Sequence, residues 1–325
     1  MRILIIKLGA IGDVIRTTSI LAGLREKYSP ETLDWLTSQA AQEVLLHNPL
    51  IDHLYIWPDR GDIKPYDLVI GLEDELEVRE FVSQISQGKI LGAFADGYTP
   101  SSWFDMSAIS RFGLEKANEL KKQNKKTFQE HLGELLGVRY EGYVFNLTPE
   151  EVEYGQRVIR DLGLGTGEKI IGVNTGAGKR WQMKSLGALK TIELVKRLTK
   201  EMGVACLILG GAEEEERNQI IAKETGMPAV GVHSIRQFAA IINQCEAVVT
   251  SDSLAMHLAI ALGKKLVVFF GPTSAAEIEL YGLGDKIQPK LDCLACYKKT
   301  CDKSPNCMAE LSVRELLSAV KKDLD

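Results

Sequence analysis

The sequence predicts an α/β protein made of two Rossmann-like domains, each a parallel sheet covered on both faces by helices. Three observations lead there. Short apolar runs alternate with helix-like patterns along most of the chain, the alternation restarts near Phe145, and 325 residues exceed what one ordinary core holds. The expected division is 1–147 and 148–325.

The chain opens with a strand, Arg2 to Lys7, a glycine turn, Gly9 to Gly12, and an amphipathic helix from about Asp13 to Tyr28. LDWLTS, HLYIWP and DLVIGLE read as short buried strands with helical spacing between them. The stretch from Leu114 to Thr127 is polar and rich in lysine, and leads into the helix FQEHLGELLG. The second half starts with a capped helix: Thr148 caps, Pro149 suits the first turn and Glu151 completes a capping box. Then come the strand KIIGVNTG, a helix, the strand VACLILGG, a helix, a short strand about residues 229–233, AVVTSD and KKLVVFFGP. Ligands of open parallel sheets bind at the carboxyl ends of the strands, so polar turns following strands are the places to search.

Lys7-Leu8-Gly9-Ala10-Ile11-Gly12-Asp13 is the first such turn. Two glycines allow close backbone approach, and a carboxylate meets a helix start, where it is favoured in its ionised form. Asp13 reads either as a helix N-cap or as a proton acceptor, with Lys7 placed to anchor it. The second turn, Asn174 to Trp181, offers Thr175, Gly176, Gly178 and Lys179 as a diphosphate cradle. It is not a Walker loop, since the glycine spacing fails and Arg180 stands where Ser or Thr would hold Mg²⁺. Gly210-Gly211-Ala212-Glu213 and Thr250 to His257 are further turns of this kind, and Asp252, Ser253 and His257 fall on the start of one helix.

Cys293, Cys296, Cys301 and Cys307 are four of the six cysteines and suggest a structural zinc site, disulfides or free thiols. Cys206 and Cys245 read as small buried apolar residues. The lysines at 121, 122, 125 and 126 read as a solvated face, or as a contact for an anionic acceptor or membrane headgroups. A net charge of −5 argues against general nucleic-acid binding. MRILIIKLGA is too short for a signal peptide, and AIALGKKLVVFFG, broken by Lys264 and Lys265, is no membrane span. A cytoplasmic protein is expected. No G-x-G-x-x-G supports a dehydrogenase, and the one Asp-x-Asp, Asp323 to Asp325, lies at the chain end.

Taken together, KLGAIGDVIRTTSIL, NTGAGKRWQMKSL, LGGAEEEERNQ, SDSLAMHLAIALGKKLVVFFGPT and CLACYKKTCDKSPNCM, in this order, resemble glycosyltransferase family nine, which contains the ADP-heptose:lipopolysaccharide heptosyltransferases. The resemblance spans nearly the whole chain. It implies a GT-B fold, two Rossmann-like domains facing across a cleft, and inverting, metal-independent transfer of heptose from ADP-heptose to the lipopolysaccharide inner core. It further implies work at the cytoplasmic face of the inner membrane, and no cofactor. Asp13 matches the family's base, Thr175 and Lys179 its diphosphate contacts, Glu213 a nucleoside contact, and Asp252, Ser253 and His257 the donor-site helix start. Leu254 stands where many members have glycine, and the cysteine cluster occurs in part of the family only. A monomer is expected. Two other readings are a sugar-nucleotide 2-epimerase on the same fold, needing no acceptor, and a protein that binds a nucleotide sugar without turnover.

Overall fold

The computed structural model describes residues 1–61, 63–73, 75–92, 113–165 and 167–324. The chain divides into two compact units, Met1–Asn146 with Ala276–Glu279, and Leu147–Ala275 with Leu280–Asp325.

The first unit runs β1 (Arg2–Ile6), α1 (Ile11–Thr17), α2 (Leu21–Tyr28), β2 (Thr32–Ser38), β3 (Leu54–Trp57), β4 (Tyr66–Gly71), α3 (Leu76–Ile85), β5 (Ser86–Gly92), α4 (Leu114–Gln123) and α5 (Phe128–Leu136). Its five strands are parallel in the order β3-β2-β1-β4-β5. Ile3 to Ile6 are wholly buried, as a central parallel strand covered on both faces requires.

Three details depart from the sequence expectation. The first helix is interrupted by a 3₁₀ turn at Thr18–Ile20. There Thr17 Oγ1 donates to Asp13 O at 2.7 Å and Thr18 Oγ1 to Ile15 O at 2.6 Å, local bonds that compete with regular helix. Between β2 and β3 the described backbone holds only a 3₁₀ turn, Gln42–Val44, in place of a helix. Strand β5 was not legible, because Gln87, Gly88 and Lys89 are exposed and break the apolar run.

The second unit runs α6 (Pro149–Asp161), β6 (Ile170–Asn174), α7 (Ala188–Met202), β7 (Ala205–Leu209), α8 (Glu215–Thr225), α9 (Ile235–Ile242), β8 (Ala247–Ser251), α10 (Leu254–Ala261), β9 (Lys265–Phe269), β10 (Gly284–Ile287), α11 (Cys307–Glu310) and α12 (Val313–Leu324). The predicted capping box is present: Thr148 Oγ1 accepts from Glu151 N at 3.3 Å, and Glu151 Oε2 accepts from Thr148 N at 2.8 Å. Five parallel strands take the order β10-β9-β8-β6-β7. The short strand expected near 229–233 is a single parallel bridge, Ile208 to Ala229, beside β7. Helices α7 and α12 pack Leu194, Leu198, Leu316 and Val320, all fully buried, into the core on one face of this sheet.

In each sheet the strand order reverses once, between β1 and β4 and between β6 and β8. Loops leaving the carboxyl ends of such neighbours diverge to opposite faces and open a crevice there. Among the described residues, no helix is long and apolar enough to cross a membrane.

Candidate functional site

The reversal point of the first sheet carries Lys7 and Glu73, each at the end of its strand. Lys7 is 2% exposed, and its Nζ donates to Glu73 Oε1 at 3.0 Å. The same oxygen accepts the main-chain N–H of Leu8 at 2.6 Å and of Gly9 at 3.2 Å. Burial pushes the Glu73 carboxyl up against the opposing pull of Lys7 and these amides. A buried ion pair with two added amide bonds therefore fixes the turn leading to Asp13.

The helix start differs from the sequence expectation. Ala10, not Asp13, is the N-cap of α1, and Asp13 is its third residue. Gly12 accordingly lies inside the helix, leaving Gly9 as the glycine of the turn. Lys7, expected to anchor Asp13, donates to Glu73, and Arg16 also meets Asp13, with Nη2 2.9 Å from Oδ1. Glu73 and Arg16 were both missed. Glu73 could have been suspected, as an acid directly after an apolar strand.

At the reversal point of the second sheet three turns converge, after β6, β7 and β8. Asn174, the last residue of β6, ties the first to the third: its Nδ2 lies 2.8 Å from Gly176 O, 3.0 Å from Thr250 Oγ1 and 3.2 Å from Ser253 Oγ. Thr250 Oγ1 and Ser253 Oγ are themselves 3.0 Å apart. One side-chain amide thus joins the β6 turn to the start of α10.

Thr175 is buried and its groups are committed inside the protein. Its hydroxyl donates to Asn218 Oδ1 at 2.5 Å, its amide to Leu209 O at 3.1 Å, and its carbonyl accepts from Arg217 Nη2 at 2.7 Å. Thr175 thus fastens the first turn to the second. Gly176 leaves room for the same turn: a Cβ there would lie 2.7 Å from the Glu214 carboxylate, which would have to shift. Glu214, whose Oε2 accepts from Gly211 N at 3.0 Å, is the inward carboxylate of this turn, whereas Glu213 is exposed. Gly178 takes a left-handed φ of 72°, which glycine adopts without strain. Lys179 begins a 3₁₀ segment, Lys179–Lys184, and its side chain lies outside the described residues.

A cation that the structure does place here is Lys184. Its Nζ donates to Asp252 Oδ2 at 2.7 Å and to Asp252 O at 3.0 Å. Burial raises the Asp252 carboxyl, but Lys184 and the nearby His257 outweigh it and hold the group at about 2. Asp252 is ionised at neutral pH and already neutralised by a partner. Ser253 caps α10, and His257 is buried in the first turn, its N–H returning to Ser253 O at 3.3 Å. The structure thus gathers Asp252, Ser253 and His257 on one helix start, as expected, and adds Lys184, Arg217, Glu214 and Asn218. Nothing in the sequence sets Lys184 apart from the other lysines.

Cys206 and Cys245 are buried, with thiols pushed up to about 11 and about 12 by burial. Cys293, Cys296 and Cys307 are half-buried and Cys301 is exposed, and all are free thiols. Burial, together with the charges of Cys296 and Cys301, pushes the Cys307 thiol up. Among the described residues no three His, Cys, Asp or Glu side chains are grouped to hold a metal ion. Of the lysine cluster, Lys126 is paired with Glu134 at 2.5 Å.

Two parallel-stranded α/β units, each with polar turns at its reversal point, define a GT-B protein. The chain belongs to a family of that class: the model of glycosyltransferase family 9 (heptosyltransferase) matches residues 64–306. It is 28% identical over 173 residues to lipooligosaccharide heptosyltransferase 2 of Campylobacter jejuni, covering 50% of this chain and 53% of that relative, about half its length. The structure resembles a glycosyl transferase family 9 protein from Veillonella parvula, with TM-score 0.81 and 19% identity over 99% of this chain and 97% of the other. It also resembles E. coli ADP-heptose LPS heptosyltransferase II, with TM-score 0.70 and 17% identity over 100% and 98%.

Proposed function

We propose that this protein transfers heptose from ADP-heptose to a lipopolysaccharide inner-core acceptor, with inversion and without a metal ion. The observation that carries the reading is the junction of three turns through Asn174 and Thr175, which sets a neutralised carboxylate, a helix start and His257 at one strand-order reversal. A diphosphate is met there by helix-start amides and by Lys179, the roles that Mg²⁺ fills in Asp-x-Asp enzymes. Family membership and the E. coli relative's named donor support ADP-heptose.

In this reading the acceptor hydroxyl attacks the anomeric carbon as its proton passes to the Asp13 carboxylate. The bond from that carbon to the diphosphate oxygen breaks on the opposite face, and ADP departs with the electron pair. One carboxylate suffices for such a single displacement. The protein acts as a monomer in the cytoplasm, reaching its lipid-borne acceptor at the inner face of the inner membrane.

The test is binding and turnover together. Titration with ADP, UDP and GDP should favour ADP, and transfer to a heptose-deficient core acceptor should persist in EDTA. Lys179→Ala should weaken ADP binding by about 1–3 kcal/mol. Turnover abolished by EDTA, preference for UDP, or an epimer formed from donor alone would each overturn the reading.

A further inference from the structure

Arginine side chains ordinarily keep their charged end in water, because burying it is costly without a partner. Arg16, in the last turn of α1, is only 7% exposed. Contacts with Asp13 and Phe128 hold it. Nη2 lies 2.9 Å from Asp13 Oδ1, and the guanidinium sits 3.7 Å from the centroid of the Phe128 ring.

Phe128 is itself fixed. It is 1% exposed and opens α5, whose start is set by the capping box of Thr127 and Glu130. Its main-chain N–H donates to Glu277 O at 3.0 Å, in the short segment by which the later chain returns to the first unit. A planar cation stacked on an immobile ring keeps its orientation, and so does the carboxylate it grips. Asp13 meanwhile keeps 30% of its side chain open to an incoming group. An exposed pair three residues apart on a helix would supply little stability and would need neither the burial nor the ring.

We propose that Arg16 is a positioning residue: stacked on Phe128, it fixes the Asp13 carboxylate in the orientation that receives the acceptor proton. The inference rests on Asp13 being the base. Its test is a double-mutant cycle on turnover. Arg16→Met should lower kcat about 10- to 100-fold, as a misoriented base does, with ADP affinity within twofold of wild type. Arg16→Lys, which keeps the charge but loses the plane, should recover part of that loss. In an Asp13→Asn background the same Arg16→Met should change kcat less than twofold, because nothing remains to be positioned.

A merely structural arginine would lower kcat by the same factor in both backgrounds, and that result overturns the proposal, as does full kcat in Arg16→Met. Should Arg16→Met fail to fold, Phe128→Leu in the two backgrounds makes the same comparison, with an expected loss of about 3- to 10-fold confined to the Asp13 protein. A wild type that transfers no sugar overturns the functional reading and this inference with it. A wild type that transfers, beside an equally fast Arg16→Met, overturns this inference alone.

Discussion

Replacing Lys184 by methionine keeps an unbranched side chain one atom shorter and removes the charge that neutralises Asp252. The two groups meet at 2.7 Å with side chains 11% and 18% exposed, so solvent screens them only in part. A carboxyl held at about 2 instead of its ordinary 3.8 contributes about 2.5 kcal/mol of stability at neutral pH, at ~1.36 kcal/mol per pH unit. Because the folded value is depressed, that contribution is complete above pH 3.8 and disappears as pH falls through about 2. Lys184→Met should therefore destabilise the second unit by about 2–3 kcal/mol at pH 7, and flatten the loss of stability between about pH 4 and 2. Urea unfolding across this pH range measures both, followed by circular dichroism and by tryptophan fluorescence, since the Trp181 ring lies 5.2 Å from Lys184 Nζ. The uncompensated Asp252 should also repel a diphosphate, raising the Kd for ADP about 10- to 30-fold. A variant within 0.5 kcal/mol of wild type at pH 7, with the same pH slope, would refute this account of the pair.

Other substitutions probe other parts of the site. Asp13→Asn keeps the size but cannot take the proton, so turnover should fall about 10²–10⁴-fold while calorimetry shows ADP affinity within twofold of wild type; near-normal turnover would place the base elsewhere. Gly176→Ala puts a methyl 2.7 Å from the Glu214 carboxylate and should displace it from Gly211. Destabilisation of about 1–3 kcal/mol, with weaker ADP binding, should follow in urea titration and calorimetry, and an unchanged protein would show that the turn has room.

The fold class and the candidate turns were legible because both rest on local rules. Buried parallel strands such as Arg2–Ile6 and Ala247–Ser251 are continuous apolar runs, and the polar residues that interrupt them fall at strand ends. The capping box at Thr148 and Glu151 is equally local, and it formed as read. Asp13, Asp252, Ser253 and His257 stand at helix starts that these rules locate to within a turn.

Which partner each side chain takes was decided by tertiary structure, since it depends on loops brought together by strand order. Lys7 and Glu73 are 66 positions apart, and Lys184 and Asp252 are 68 apart. Each pair joins loops of two strands that the sheets bring together at a reversal point. No spacing in the sequence specifies such a pair, and the same geometry turned Thr175 inward and set Arg16 beside Asp13 over Phe128. Composition and periodicity thus determined that this chain forms two parallel α/β units with charged turns at their carboxyl edges. The pairing of those charges was left to packing, because burying an ion demands a partner and only the folded sheet decides which one is near.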